Sequence, residues 1–371
     1  MSRTQITSAK RIVIKIGSSS LTGKAGAELD TAAVEKLVNV VAACKKRGAE
    51  VVVVSSGAIA AGLAPLGLAA RPRDLATQQA AASVGQGLLI AQYTQSFAKH
   101  SITASQVLIT TEDVVRRSHY QNAQRTLYRL LALGVVPVIN ENDSVGTQEI
   151  RFGDNDRLAA LVALLIGADL LVLVSDIDAL YNLPPHKAGS KAIHEVVAIA
   201  DIENVDLGSA GSSGVGSGGM VTKVEAARIA TSAGIPMLLT SLEDVGKSLA
   251  GAELGTYFHA QASKTTSRLL WLAHATTTHG RLVLDAGAVK AILERGVSLL
   301  PAGVTAVDGN FIAGDAVELV GPDSKVIARG LVAFDSDEIP VMLGRSTKEL
   351  AQSLGPEYER ELVHRDDLVL I

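Results

Sequence analysis

Aromatic residues are scarce in this 371-residue chain, at 3% of the total with a single Trp and five Phe. Any core must therefore be built from Ala, Val, Leu and Ile, a composition that suits helices packed on a parallel sheet. One cysteine, Cys44, excludes an internal disulfide and fits a reducing, cytoplasmic setting. The start, Met1-Ser2-Arg3-Thr4-Gln5, has no apolar leader core, and no uncharged apolar run reaches membrane-spanning length. No excess of positive charge exists either. The net charge is −4 and the isoelectric point near 6.1, which offers no general attraction to nucleic acid or an anionic membrane. The eight histidines form no ligand-like cluster: His274 and His279 are five apart with no cysteine beside them, so no structural zinc is expected. A Ser-His-Asp arrangement and an activated cysteine are missing too, which removes the commonest nucleophilic chemistries.

What the chain has in quantity is short apolar runs separated by helical segments. Arg11–Ile16, Val51–Val54, Gln106–Ile109, Val135–Ile139, Leu170–Val174 and Pro236–Thr240 each read as a buried strand. Val34, Leu37, Val38 and Val41 fall at i, i+3, i+4 and i+7, with Asp30 placed to cap that helix and Gly48 to stop it. Helices also fit Ala76–Lys99, His119–Leu133 and Asn155–Leu165. The alternation predicts an α/β fold, an open and mostly parallel sheet sandwiched by helices. Residues 245–277 read as a connecting region. From Arg281 a second, small β-rich unit is expected: a strand to Leu284, a helix near Ala286–Arg295, a hairpin within Ala316–Ala328, and short strands to about Pro340. The length and the change in character predict two domains, 8–260 and 278–360.

The most informative segment is Gly216-Ser217-Gly218-Gly219-Met220-Val221-Thr222-Lys223. Glycines let the backbone approach a ligand closely, and the apolar segment from Val224 reads as a helix. A glycine loop feeding a helix N-terminus suits an anion, above all phosphate. Lys223 stands where its ammonium reaches a terminal phosphoryl group. The run from Gly214 to Gly219 matches GxGxxG formally, yet it follows a polar loop rather than a first strand, against a dinucleotide site. A P-loop needs Lys directly after its last Gly, and Met220 stands there.

Loops that follow parallel strands share one edge of the sheet, where ligands bind. Lys15 and Gly17 fall at the end of the first strand, and a lysine inside an apolar strand is costly to bury without an anionic partner. Ser56 and Gly57 follow the second strand. Two polar loops come later, Asn140-Glu141-Asn142-Asp143-Ser144 and Phe152-Gly153-Asp154-Asn155-Asp156. Asp154 or Asn155 can cap the helix that follows, but one cap does not account for all the acidic and amide groups of the two loops. Such groups beside a phosphate site suit a zwitterionic substrate. Ser175-Asp176, after the fifth strand, can contact a nucleotide. A carboxylate acceptor is ionised at neutral pH, so phosphoryl transfer to it needs positioning and charge neutralisation rather than a general base.

Together these motifs resemble the amino acid kinase family, and within it the members that phosphorylate the γ-carboxylate of free L-glutamate with ATP to give glutamyl 5-phosphate. The resemblance runs from about residue 10 to the C-terminus. It implies that Lys15 and Lys223 bind the transferring phosphoryl while Asp156 orients them, making these three the catalytic set. It implies that Ser56, Gly57, Asp143 and Asn155 hold glutamate, with Asn140 and Asp154 supporting that pocket. Nucleotide contacts fall to Lys15, Ser175, Asp176, Ser217, Gly218, Gly219, Met220, Val221, Thr222 and Lys223. ATP would enter with Mg²⁺, and no metal is expected to be held directly by the protein. The same resemblance implies the first step of proline biosynthesis, L-proline as feedback inhibitor, and a homo-oligomer, dimer or tetramer. Two positions depart from the family pattern: Ala159 stands where many relatives have Ser, and Ile177-Asp178-Ala179 replaces a commoner Lys-Gly-containing run.

The C-terminal unit resembles a PUA domain, most clearly over Gly296–Val304. PUA domains often bind RNA, so an RNA-binding protein is the rival reading, and an N-acetylglutamate kinase-like member is the alternative within the family. Charge disfavours RNA: residues 278–371 hold 9 Lys and Arg against 15 Asp and Glu.

Overall fold

A computed structural model describes residues 3–22, 28–110, 113, 117–145, 155–185, 187, 189–202, 205, 219–261 and 278–371. Contacts divide the chain into two compact units, Met1–Val114 with Gln121–Lys264, and Val115–Tyr120 with Thr265–Ile371.

The first unit is built on an eight-stranded sheet. Its strands are β1 (Arg11–Ile16), β2 (Glu50–Ser55), β3 (Ala104–Ile109), β4 (Val136–Glu141), β5 (Leu170–Ser175), β8 (Glu195–Val196), β9 (Met237–Ser241) and β10 (Thr256–Phe258). A two-residue pair, β6 (Leu180–Tyr181) and β7 (Ala192–Ile193), stands apart. The order across the sheet is β3-β4-β2-β1-β5-β9-β10-β8, parallel except where β10 runs against β9. The six strands expected from apolar runs are all present. The sheet also continues through β10, within the segment read as a connection. Three residues, Thr256 to Phe258, are too short a run to announce a strand.

Alternation along β1 sorts its side chains between two layers. Ile12, Ile14 and Ile16 join a core with Val34, Leu37, Val38 and Val41 of α2 (Thr31–Lys46) and with Leu89, Tyr93 and Phe97 of a long helix, α4 (Leu75–Ala98). Asp30 caps α2 as expected, its carboxylate accepting from the amides of Ala32 and Ala33. Lys15 falls on the opposite face. Two short helices, α1 (Ser18–Leu21) and α3 (Ala58–Leu63), begin just after β1 and β2. Helix α3 meets α4 without intervening side chains: a Cβ at Gly85 would lie 1.8 Å from the Ala58 carbonyl oxygen, and one at Gly62 1.9 Å from that of Ala81.

Helix α5 (Arg117–Ala132) precedes β4 and α6 (Asn155–Ile166) precedes β5. Every residue of α6 except Arg157 is buried, which fits its nearly unbroken apolar sequence. Helix α7 (Met220–Ser232) leads to β9, and the short α8 (Val245–Leu249) to β10. Because the chain leaves β1 toward β2 but leaves β5 toward β9, the carboxyl ends of β1 and β5 flank the point where the winding reverses. An open α/β sheet has its crevice there. Beyond the β1–β5 ladder, the Gly17 amide donates to the Val174 carbonyl at 3.4 Å across its floor.

The second unit is a five-stranded sheet in the order β12-β11-β13-β14-β15: β11 (Gly280–Leu284), β12 (Val304–Gly309), β13 (Ala316–Val320), β14 (Val326–Val332) and β15 (Val363–Leu370). Helix α9 (Ala286–Arg295) follows β11 with Asp285 as its cap, and the expected hairpin is β13–β14. Sequence reasoning carried this unit only to residue 360. Strand β15 lies beyond that point and pairs antiparallel with β14. Its polar stretch His364-Arg365-Asp366-Asp367 hides the strand pattern. Helix α10 (Thr347–Leu354), closed by a capping box between Ser346 and Glu349, was likewise unforeseen. No helix of the described residues is long and apolar enough to cross a membrane.

Candidate active site

Lys15, penultimate in β1, is 2% exposed, and its ammonium lies 2.5 Å from Asp156 Oδ1. Asp156 is fully buried in the first turn of α6, where a carboxylate also meets the positive end of the helix. Its other oxygen, Oδ2, takes a hydrogen bond from Lys223 Nζ at 3.1 Å, and Thr222 Oγ1 lies 3.0 Å from the same atom. Elements from β1, α6 and α7 thus converge on one carboxylate. The costly lysine in the first strand has its anionic partner, one that also faces the second lysine.

Helix α7 starts at Met220, four residues earlier than expected, with Gly219 at its N-cap and no side chain capping it. Lys223 therefore sits in the first turn of the helix rather than on the loop, and rigid backbone sets its reach. Met220, Val221 and Thr222 share that turn. Ser217 and Gly218, expected to contact nucleotide, lie outside the described residues, as does Asp154. Gly17 borders the same space: a Cβ there would stand 3.6 Å from Lys15 Nζ, so glycine keeps the approach to the ammonium open. Ser175 is buried at the end of β5 and donates to the exposed Asp176 at 3.0 Å.

A second cluster adjoins the first through Asn155. Its Nδ2 donates toward the Ser55 carbonyl at 2.7 Å, Asn140 Oδ1 at 2.9 Å and Ser56 Oγ at 3.0 Å. Asn155 was read as a possible helix cap; its side chain instead reaches across to the ends of β2 and β4. Asn140 Oδ1 also accepts from the Glu141 amide, and Asn140 Nδ2 donates to Gln86 Oε1 at 2.7 Å. Gly57 follows Ser56 in a left-handed conformation, φ 101°, which a residue with a Cβ rarely adopts. Asp143 is half-buried in the turn after β4. Ser55 Oγ donates to the Ser56 carbonyl at 3.0 Å and is also 3.0 Å from the Tyr93 hydroxyl. Burial holds that hydroxyl well above the ordinary tyrosine pKa.

The structure thus brings together Lys15, Asp156, Thr222 and Lys223, and beside them Ser56, Asn140 and Asn155. Gln86 and Tyr93 were not foreseen. The one available signal was Gln86 itself, a polar residue set between Gly85 and Gly87, two poor helix formers, inside a helix. Two ammonium groups held by one carboxylate stabilise an anion with more charge than that carboxylate cancels. Both oxygens of Asp156 face cations, Oδ1 toward Lys15 and Oδ2 toward Lys223. Among the described residues no group of three or more His, Cys, Asp or Glu is disposed to hold an ion.

Comparison with known proteins places the chain in a family. The model of the amino acid kinase family matches residues 10–241, and that of the PUA domain residues 280–354. A glutamate 5-kinase of Streptomyces avermitilis is 60% identical over 370 residues, covering 100% of this chain and 98% of its own. One from Salinispora arenicola is 59% identical over 369 residues, covering 100% of both chains. Among solved structures, a carbamate kinase from Giardia lamblia bound to AMP-PNP matches with a TM-score of 0.51 and 19% identity, over 69% of this chain and 100% of its own, a likeness of fold. By the family model over its first unit and by its full-length relatives, this chain belongs to the amino acid kinase family, among the glutamate 5-kinases, and carries a PUA domain behind the kinase region.

Proposed function

We propose that the protein transfers the γ-phosphoryl group of ATP to the γ-carboxylate of L-glutamate, giving glutamyl 5-phosphate. The observation that carries this reading is the buried Lys15–Asp156–Lys223 bridge placed directly beside the Asn155 cluster. The bridge suits a phosphoryl group in transit, and the cluster suits an amino-acid acceptor. Lys15 and Lys223 neutralise charge on the transferring group, and Asp156 fixes both ammonium positions before substrate arrives, so little reorganisation is left for the reaction itself. The acceptor is already a carboxylate, so no residue needs to remove a proton. Ser56, Gly57, Asp143 and Asn155 hold glutamate, and Asn140 and Asp154 support them. Ser175, Asp176 and residues 217–223 face the nucleotide. Mg²⁺ arrives as part of the ATP complex, where it offsets phosphate charge. Residues 8–260 carry the chemistry and 278–360 the PUA-like domain. Feedback by L-proline, a homo-oligomeric assembly and a cytoplasmic setting belong to the same reading.

The test is ATP turnover by the purified full chain with glutamate, N-acetylglutamate, aspartate and UMP in turn. ADP release stimulated by glutamate alone is the expected result; equal or greater stimulation by another acceptor overturns the assignment.

A further inference from the structure

We propose that Gln86 is a positioning residue for the amino-acid pocket, acting through Asn140. The proposal rests on the acceptor reading above and adds to it a residue on a different element. Gln86 lies on α4 in the stripe formed by Ala82, Leu89 and Tyr93, the face turned toward the sheet. It is half-buried, and its Oε1 accepts from Asn140 Nδ2 at 2.7 Å.

That contact decides which way the Asn140 amide points. Asn140 is 2% exposed, and its Oδ1 receives two donors, the Glu141 amide and Asn155 Nδ2. Its Nδ2 must therefore face away from both, toward an acceptor, and Gln86 supplies one. Without that acceptor the buried NH₂ has lost a partner. Turning the amide over would set donor against donor at both Glu141 and Asn155. Either outcome loosens Asn155, and with it Ser56. The path runs from Gln86 through Asn140 and Asn155 to Ser56 and includes neither lysine, so its failure reaches the acceptor and not the nucleotide.

Helix α4 also supports the other wall. Tyr93, two turns beyond Gln86 on the same stripe, places its hydroxyl 3.0 Å from Ser55 Oγ. The single hydrogen of Ser55 is directed at the Ser56 carbonyl, so Tyr93 is the donor. One rigid helix thereby steadies the chain ends of β2 and β4 together.

Steady-state kinetics on the full chain tests this with Gln86→Leu, and with Gln86→Met as the second variant where the first does not fold. The expected result is a rise of about tenfold in the glutamate KM, the effect of one lost hydrogen bond to a buried group, with the ATP KM unchanged within twofold. In an Asn140→Ala background the same substitution should add less than twofold, because the path is already cut. A folded Gln86 variant with an unchanged glutamate KM overturns the proposal. So does a parallel rise in both KM values, or a full further tenfold loss in the Asn140→Ala background. If the parent enzyme prefers another acceptor, the glutamate assignment fails on its own, and the Gln86 effect is then read on the KM of that acceptor.

Discussion

Lys15 and Asp156 face each other at 2.5 Å with 2% and 0% of their surfaces exposed. Neither charge is reasonable at such depth alone. Each accounts for the other, and Lys223 at 3.1 Å makes the arrangement a bridge rather than a pair.

Replacing the bridging carboxylate should therefore damage both folding and chemistry. Asp156→Asn leaves two ammonium groups close together with their shared counter-charge removed. The expected loss is about 3–5 kcal/mol of stability, the range for breaking a buried ion pair. Thermal unfolding checks this, and kcat should fall together with the melting temperature. A variant as stable as the parent would show that water or backbone groups already neutralise the lysines.

Lys223→Met separates chemistry from stability, because this lysine has some access to solvent, its side chain being 11% exposed. Loss of one preorganised cation should lower kcat by roughly 10²–10³-fold while both KM values move less. Arg is not an adequate substitute, since its planar fork does not reproduce a compact ammonium in the first turn of α7. A folded Lys223→Met protein with kcat within about threefold of the parent would remove this residue from the mechanism.

For Asp143→Ala the expected defect falls on the acceptor. Its turn follows β4, on the Asn140 side of the site, and its loss leaves the substrate ammonium unpaired, at about 2–4 kcal/mol. Glutamate KM should rise by roughly 30-fold to 900-fold, with ATP KM little changed. The reverse pattern would assign Asp143 to the nucleotide.

Helix α4 offers a comparison between two of its own glycines. At Gly85 an added Cβ would lie 1.8 Å from the Ala58 carbonyl oxygen, whereas at Gly87 it meets nothing within 4 Å. Gly85→Ala should force α3 away from α4 and cost on the order of 3 kcal/mol. Gly87→Ala should be neutral or stabilising by about 0.5–1 kcal/mol, from helix propensity and the stiffer unfolded chain. Melting temperatures of the two variants check the pair, and equal shifts would contradict the close helix contact.

The parallel core was legible because β1, β2, β4 and β5 are buried on both faces and leave unbroken apolar runs. Lys15 was legible for the same reason, being the one cation in such a run. Strand β10 and strand β15 were not: the first is three residues long, and the second has four consecutive polar residues from His364 to Asp367 that conceal its pairing with β14. Where the described residues cluster, those with a local signature could be named, such as Lys223 after the glycine run and the amides Asn140 and Asn155. Gln86 could not. Its partner is 54 residues away, and only folding brings α4 against the end of β4. Sequence reports what a residue is suited to touch, while a hydrogen bond across a sheet edge depends on register and helix rotation together.

The Asn155 side chain has two amide hydrogens and three oxygens within 3.0 Å. One of those oxygens is always surplus, and Ser56 Oγ, the most distant, is the natural one to yield. An incoming carboxylate oxygen can take its share of the amide while Ser56 turns its own hydroxyl to the newcomer, and no hydrogen is stranded at any moment. On the proposed reading of this corner, binding of an acceptor carboxylate is a change of partners among groups already in place.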